Sequence, residues 1–242
     1  MPTVTVLIPA LDEERSIGLV LDDLWAAGEA KRSARRASFD LRSVVVADNG
    51  SRDRTSAVAR QHGATVVFEP RRGYGSACLA GISHVRRDPP DILAFVDADR
   101  SDDPTQLPEV LAPLLEGRAD LVIGSRALGE REPGSLSSVQ AFGNRLASAL
   151  LRVLYGGRFT DLGPFRAIRW AALEALDMRD RDYGWTVEMQ ARALEAGLRC
   201  VEVPVRYRRR RVGTSKVSGT LRGVLGAGWK ILFTIAKVRL GG

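Results

Sequence analysis

Residues Ile92-Leu-Ala-Phe-Val-Asp97-Ala-Asp99-Arg-Ser-Asp-Asp-Pro104 decide how this chain is read. An apolar, β-prone run ends in two carboxylates one residue apart, and Pro104 closes the turn behind them. Alternation along an extended chain puts Asp97 and Asp99 on the same side. In an open α/β sheet, ligands sit beyond the carboxyl ends of the strands. Two hard oxygen donors there suit Mg²⁺ or Mn²⁺, and such an ion holds the phosphates of a substrate. An isolated Asp-x-Asp is more often a solvated acidic turn, so the surrounding chain carries the argument.

Upstream, Val4-Thr-Val-Leu-Ile8 reads as a first buried strand that Pro9 ends. Asp12-Glu13-Glu14 supplies an N-cap and an acidic first turn for a helix through about Ala27. Residues 28–42 form a polar connection to a second strand, Val44 to Asp48. Asn49-Gly50-Ser51 is a turn, and Ser51 or Asp53 caps a helix running to His62. Thr65 to Phe68 is a third strand, and Pro70 to Gly75 is a glycine loop leading into a helix from Ser76 to about Val85. Downstream of the aspartates come a helix over Thr105 to Leu115 and a strand over Asp120 to Gly124. This alternation predicts an α/β protein with a doubly wound, mostly parallel sheet. After Gly124 it fades. Glu130 to Ser138 is turn-rich, Phe142 to Leu154 an amphipathic helix, Phe165 to Ile168 a strand and Trp185 to Ala196 a helix. Val201 to Val205 carries Pro204 and is expected at a sheet edge.

At 242 residues and 45% hydrophobic side chains, the chain can bury a sizeable core. Cys78 and Cys200 are the only cysteines, which argues against a disulfide framework and for a reducing, cytoplasmic setting. The net charge of +7 is unevenly placed: from Val203 onward there are ten Lys or Arg and no Asp or Glu, so residues 1–202 carry −3. A basic module on a mildly acidic body implies an anionic partner. The body is expected over 1–216 and a basic amphipathic helix over 217–242. Lys230 and Lys237 interrupt the apolar run from Leu221 to Leu240, leaving it short of the ~20 residues a bilayer span needs. That segment is expected to lie in a membrane interface, with packing on the body or on a partner subunit as the alternative.

Carboxylates follow three strands in register: Asp12/Glu13, Asp48 and Asp97/Asp99. Such a crevice suits a nucleotide, since carboxylates accept hydrogen bonds from a base or ribose and a divalent ion neutralises a diphosphate. Neither a G-x-G-x-x-G nor a G-x-x-x-x-G-K-[ST] motif is present, which argues against a dehydrogenase and a P-loop enzyme.

Pro9-Ala-Leu-Asp-Glu-Glu14, Asp48-Asn-Gly-Ser-Arg-Asp-Arg-Thr55, Arg72-Gly-Tyr-Gly-Ser-Ala77, Asp97-Ala-Asp99 and Gly124-Ser-Arg126 occur in order. In this they resemble the inverting family 2 glycosyltransferases of the GT-A fold. Asp161-Leu-Gly-Pro-Phe-Arg166, Gly184-Trp-Thr-Val-Glu-Met189, Glu202-Val-Pro-Val205 and Arg210-Arg-Val-Gly-Thr-Ser-Lys216 are similar to the dolichol-phosphate mannose synthase branch. The resemblance runs from about residue 3 to 220. It implies that Pro9, Ala10, Glu13, Val46, Asp48, Gly73 and Arg126 belong to the nucleotide-sugar site. Asp97, Ala98 and Asp99 match the metal and diphosphate site, with Asp97 and Asp99 as ligands. Arg210 and Lys216 match a basic pair that binds diphosphate and acceptor phosphate, and an arginine fork with a lysine point charge suits two facing phosphates. Where the branch usually has a Gln two residues after the second Asp, Ser101 stands here with Asp102 beside it.

The resemblance implies transfer of a hexose from GDP-mannose or UDP-glucose to a polyprenyl or dolichyl phosphate, peripheral at the cytoplasmic membrane face. Its rival is a soluble or polysaccharide acceptor, which requires a general base, with Glu188 first in line. Nucleic acid is not expected as a partner, because Arg206 to Arg211 interleaves only Tyr207. His62 and His84 are read as surface helix residues, not zinc ligands.

Overall fold

The computed structural model describes residues 1–33, 39–210 and 221–240. Its framework is a seven-stranded sheet in the order β3-β2-β1-β4-β6-β5-β7. Strands β1 (Thr3–Ala10), β2 (Asp40–Asp48), β3 (Thr65–Phe68) and β4 (Ile92–Phe95) are mutually parallel. Strand β6 (Arg166–Arg169) runs antiparallel between β4 and β5 (Leu121–Ser125), and β7 (Cys200–Pro204) closes the far edge parallel to β5. Pro204 thus sits at the end of an edge strand, where a missing N–H costs least.

Alternating side chains divide the core between the two faces. Val4, Val6 and Ile8 point with Val44 and Val46 into one cluster, which α1 (Ile17–Ser33), α2 (Thr55–Gln61) and α4 (Leu107–Leu115) cover. Leu7, Val45, Leu93 and Phe95 point into the other. There they meet α3 (Tyr74–Val85), α5 (Ser138–Tyr155), α6 (Trp170–Leu176), α7 (Trp185–Glu195) and α8 (Leu221–Arg239). A sheet sandwiched by helices is the doubly wound arrangement that the element order predicts.

Several boundaries differ from expectation. Pro9 does not end β1, which pairs with β2 as far as Ala10–Asp48. Leu7 faces β4, since its carbonyl accepts from Val96 N, so two residues on Pro9 faces a side where that ladder has ended and no donor is needed. Helix α1 starts only at Ile17, with no acidic residue in its first turn, because residues 12–16 are used in a loop. Strand β2 starts at Asp40, within the connection expected over 28–42. Helix α6 was not expected.

From Lys230 onward, α8 packs on the body. Thr234, Ile235 and Val238 are buried, the Tyr155 hydroxyl donates to the Ile235 carbonyl at 2.6 Å, and Lys230 pairs with Asp180 at 3.0 Å. Among the described residues no helix is long and apolar enough to cross a membrane.

Candidate active site

The carboxyl ends of β1, β2 and β4 open into a cavity of about 820 Å³. Two loops at its rim are tied backbone to side chain. Asp12, Glu13 and Glu14 N–H groups donate to Ser51 Oγ, Thr55 Oγ1 and Asp53 Oδ2, and Arg52 and Arg54 N–H groups donate back to Asp12 Oδ1 and Glu14 Oε2. Asp12 adopts φ +51°, a left-handed conformation that Asp tolerates better than most residues. This reciprocal capping is what the acidic run after β1 does in place of starting a helix. It also fixes Pro9, Ala10 and Glu13, which line the cavity.

Asp97 and Asp99 lie at the base of the cavity with Ala98 between them. The Tyr74 hydroxyl donates to Asp97 Oδ1 at 3.1 Å, and Ser101 N–H donates to Asp99 Oδ1 at 2.9 Å. Burial, helped by the Asp99 charge, pushes the Asp97 carboxyl up to about 7. Arg210 enters from the basic segment: its Nε is 2.8 Å from Asp99 Oδ2, its Nη2 bonds the same oxygen, and its Nη1 is 3.5 Å from Glu13 Oε1. One guanidinium therefore joins the ends of β1 and β4.

Gly73 and Gly75 let α3 begin against the 180–182 segment. A Cβ on Gly73, at φ +134°, would stand 2.1 Å from the Arg181 carbonyl, and one on Gly75 2.1 Å from the Asp180 carbonyl. Glycine is required by this close approach. The far wall is the Thr160–Arg166 loop. Asp161 accepts from Arg126 Nε at 2.8 Å, Nη2 at 2.7 Å and backbone N–H at 2.7 Å. Burial works against the Arg126 charge, but the Asp161 carboxylate outweighs it and holds the guanidinium above its ordinary pKa. The Tyr207 ring stacks under Arg126 at 5.0 Å. Glu202 accepts from the Thr160 and Asp161 N–H groups, and Gln190 donates to the Asp161 carbonyl. Arg166, fully buried, donates to the carbonyls of Leu162, Gly163 and Thr186. These motifs thus form one hydrogen-bonded wall.

Of the residues expected at the site, Pro9, Ala10, Glu13, Gly73, Asp97, Ala98, Asp99, Arg126 and Arg210 line the cavity. Val46 does not, because it lies within β2 and is fully buried in the core. Asp48 does not either: its carboxylate accepts from Ser51 N–H at 2.8 Å and from the Ser56 hydroxyl. Glu188, the expected candidate base, is buried and away from the cavity. It accepts from the Arg179 and Asp180 N–H groups and pairs with Arg192 at 2.9 Å, not with Arg210. Lys216 lies outside the described residues. Tyr74, Asn144, Tyr183 and Tyr207 line the cavity without having been singled out. For Tyr74 the glycine loop on which it stands was an available signal.

The donor set fits a hard divalent cation. Asp97 and Asp99 offer carboxylate oxygens to the cavity, and the Arg210 guanidinium stands in for a cation on Asp99. Among the described residues no group of three His, Cys, Asp or Glu forms a cage. Two protein carboxylates completed by substrate phosphates is the usual coordination for Mg²⁺.

A sheet whose strand ends hold this acidic pair, with an arginine reaching over it, is an arrangement suited to a diphosphate-bearing substrate. Residues 5–177 match the glycosyl transferase family 2 model, and the chain belongs to that family. An uncharacterized glycosyltransferase of Mycobacterium tuberculosis is 40% identical, over 95% of this chain and 97% of its own length. An undecaprenyl-phosphate mannosyltransferase of Micrococcus luteus is 30% identical over 91% and 89%, which puts the chain with the polyprenyl-phosphate mannose synthase-like branch. Glucosyl-3-phosphoglycerate synthase of M. tuberculosis, solved with Mn²⁺, UDP and glucosyl-3-phosphoglycerate, superposes with a TM-score of 0.74. It covers 99% of this chain and 80% of its own at 22% identity, a likeness of GT-A fold.

Proposed function

We propose that this protein transfers one hexose from a nucleoside diphosphate sugar, GDP-mannose or UDP-glucose, to a polyprenyl or dolichyl phosphate with inversion at the anomeric carbon. The observation that carries the reading is Arg210 reaching across the cavity to Asp99 and Glu13. It brings a phosphate-binding fork to the acidic pair suited to a donor diphosphate. Asp97 and Asp99 would hold Mg²⁺ or Mn²⁺, which neutralises the departing diphosphate. Pro9, Ala10, Glu13 and Gly73 shape the donor side, and Arg126, braced by Asp161, lines the opposite wall. Arg210, with Lys216, orients the acceptor phosphate for attack on the anomeric carbon from the face opposite the leaving group. Catalysis is then positioning and charge stabilisation.

The position of Glu188 favours this acceptor over an alcohol. A hydroxyl acceptor needs a base, whereas a phosphate is already ionised at neutral pH. With Glu188 tied to the Arg179–Asp180 backbone, the candidate base for the soluble-acceptor reading does not reach the cavity. A lipid acceptor also suits the basic end of the chain and implies a peripheral position on the cytoplasmic membrane face.

The test is donor binding followed by thermal shift, with and without Mn²⁺. GDP-mannose or UDP-glucose should stabilise the protein mainly when the ion is present. Asp97→Ala and Asp99→Ala should each remove that ion-dependent stabilisation and abolish transfer. Full transfer by either variant contradicts the proposal.

A further inference from the structure

Helix α5 presents apolar side chains outward as well as toward the core. Its inward face carries Gln140, Asn144 and Ser148 beside Ala147 and Leu151; Gln140 caps its own helix and Asn144 braces Thr160 and Leu162. Its outward face carries Val139, Phe142, Leu146 and Val153, spaced three, four and seven residues apart on one stripe. They are exposed, Phe142 at 66% and Val153 at 79%. Contiguous apolar surface of this kind marks an interaction site.

We infer that this stripe of α5 docks on an anionic lipid bilayer and sets the cavity mouth at the membrane surface. The inference rests on the lipid-acceptor reading above. Two observations choose the occupant. Residues 138–155 contain no Asp or Glu, while Arg145 and Arg152, seven residues apart, flank the apolar stripe and are exposed. Cations beside an apolar stripe are the pattern of an interfacial helix, where arginine stems reach toward headgroups. The stripe is also continuous with the site, since Val139 and Gly143 line the cavity. A lipid phosphate seated near Arg210 would leave its tail along the face that meets the bilayer. On α8, which packs beside α5 through Tyr155 and Ile235, Phe233 and Lys237 are likewise exposed, one turn apart.

Flotation of the full chain with vesicles of phosphatidylglycerol in phosphatidylcholine tests this. The protein should float with anionic vesicles, less so as salt rises. Phe142→Glu with Val153→Glu should lower vesicle partition on the order of tenfold or more. Neither residue lines the cavity, so donor binding and the unfolding temperature should be retained. Wild-type protein that stays with the aqueous fraction overturns the inference, as does a double variant that floats equally well. So does a wild-type dimer that the variant turns into a monomer, because the stripe would then cover a second copy. Transfer assayed separately with detergent-solubilised acceptor keeps the two readings apart. Flotation without transfer defeats the lipid-acceptor reading and leaves the docking face standing; transfer without flotation does the reverse.

Discussion

Asp99 and Arg210 hold each other in this structure, and the bond reports how residue chemistry was placed. Removing Arg210 as Arg210→Ala should lower kcat on the order of 10²–10³-fold, the usual cost of one preorganised charge-stabilising donor, with folding retained. An unchanged kcat in a steady-state assay would remove Arg210 from the site. Asp161 is buried and forms a bidentate pair with Arg126, whose side chain is 13% exposed, and losing the carboxylate strands the guanidinium charge. Asp161→Ala should therefore destabilise by about 3–5 kcal/mol in denaturant unfolding. A loss near zero would mean that the wall stands without it. Cys200, half-buried and beside Asp120, has its thiol pushed up to about 12 by burial first and that charge second. Little thiolate forms below that pH, so native Cys200 should alkylate slowly at pH 8.5, where an unfolded thiol near its ordinary pKa reacts readily. Fast native labelling at Cys200 would contradict that environment. At this scale the acidic pair and Glu13 could be picked out because strand ends show in one dimension, whereas Arg210 was singled out of its charge run only by the family resemblance. Tyr74 and Arg166 could not: what gives each its role is a partner 23 residues away or a set of carbonyls around a buried guanidinium.

The elements before Ser125 follow the apolar alternation closely, and those after it depart from it for identifiable reasons. Strand β6 is four residues long and begins with a charged residue that a buried strand pattern does not admit. Arg166 is tolerated there because three carbonyls satisfy its guanidinium, which burial, as the leading cause, lowers to about 10. Residues 12–16 offered a capping pattern that the structure uses between two loops. By contrast Ser137 and Gln140 form a capping box that starts α5, a signal present in the sequence but not singled out. Ser137→Ala should cost about 1 kcal/mol in thermal unfolding, and no measurable shift would show that the tertiary packing fixes that helix start alone. Gly75→Ala should push the 180–182 segment off α3, with a rise in donor KM, because Asp182 and Tyr183 line the cavity. An unaltered KM would show that the segment relaxes freely.

At the scale of the whole molecule, a crevice of carboxylates stands on a body of charge −3, and Arg210, from a basic chain end that carries ten cations in the sequence, reaches into it. Arg206 and Arg208 pair with the buried Asp103 at 2.9 and 2.8 Å, so part of that basic run fastens the segment and Arg210 is brought to the crevice. The charge asymmetry was legible from composition, whereas the division of labour among the arginines depended on which carboxylates the fold buried. Sugar transfer to a lipid phosphate is the reaction proposed for this chain. It is tested most directly by incubating the protein with radiolabelled GDP-mannose or UDP-glucose, Mg²⁺ or Mn²⁺ and a polyprenyl phosphate, then extracting with organic solvent. Label should enter the organic phase from one of the two donors, dependent on the divalent ion and lost in Asp99→Ala. Label confined to the aqueous phase with both donors, while the protein still hydrolyses nucleotide sugar, would contradict the lipid acceptor.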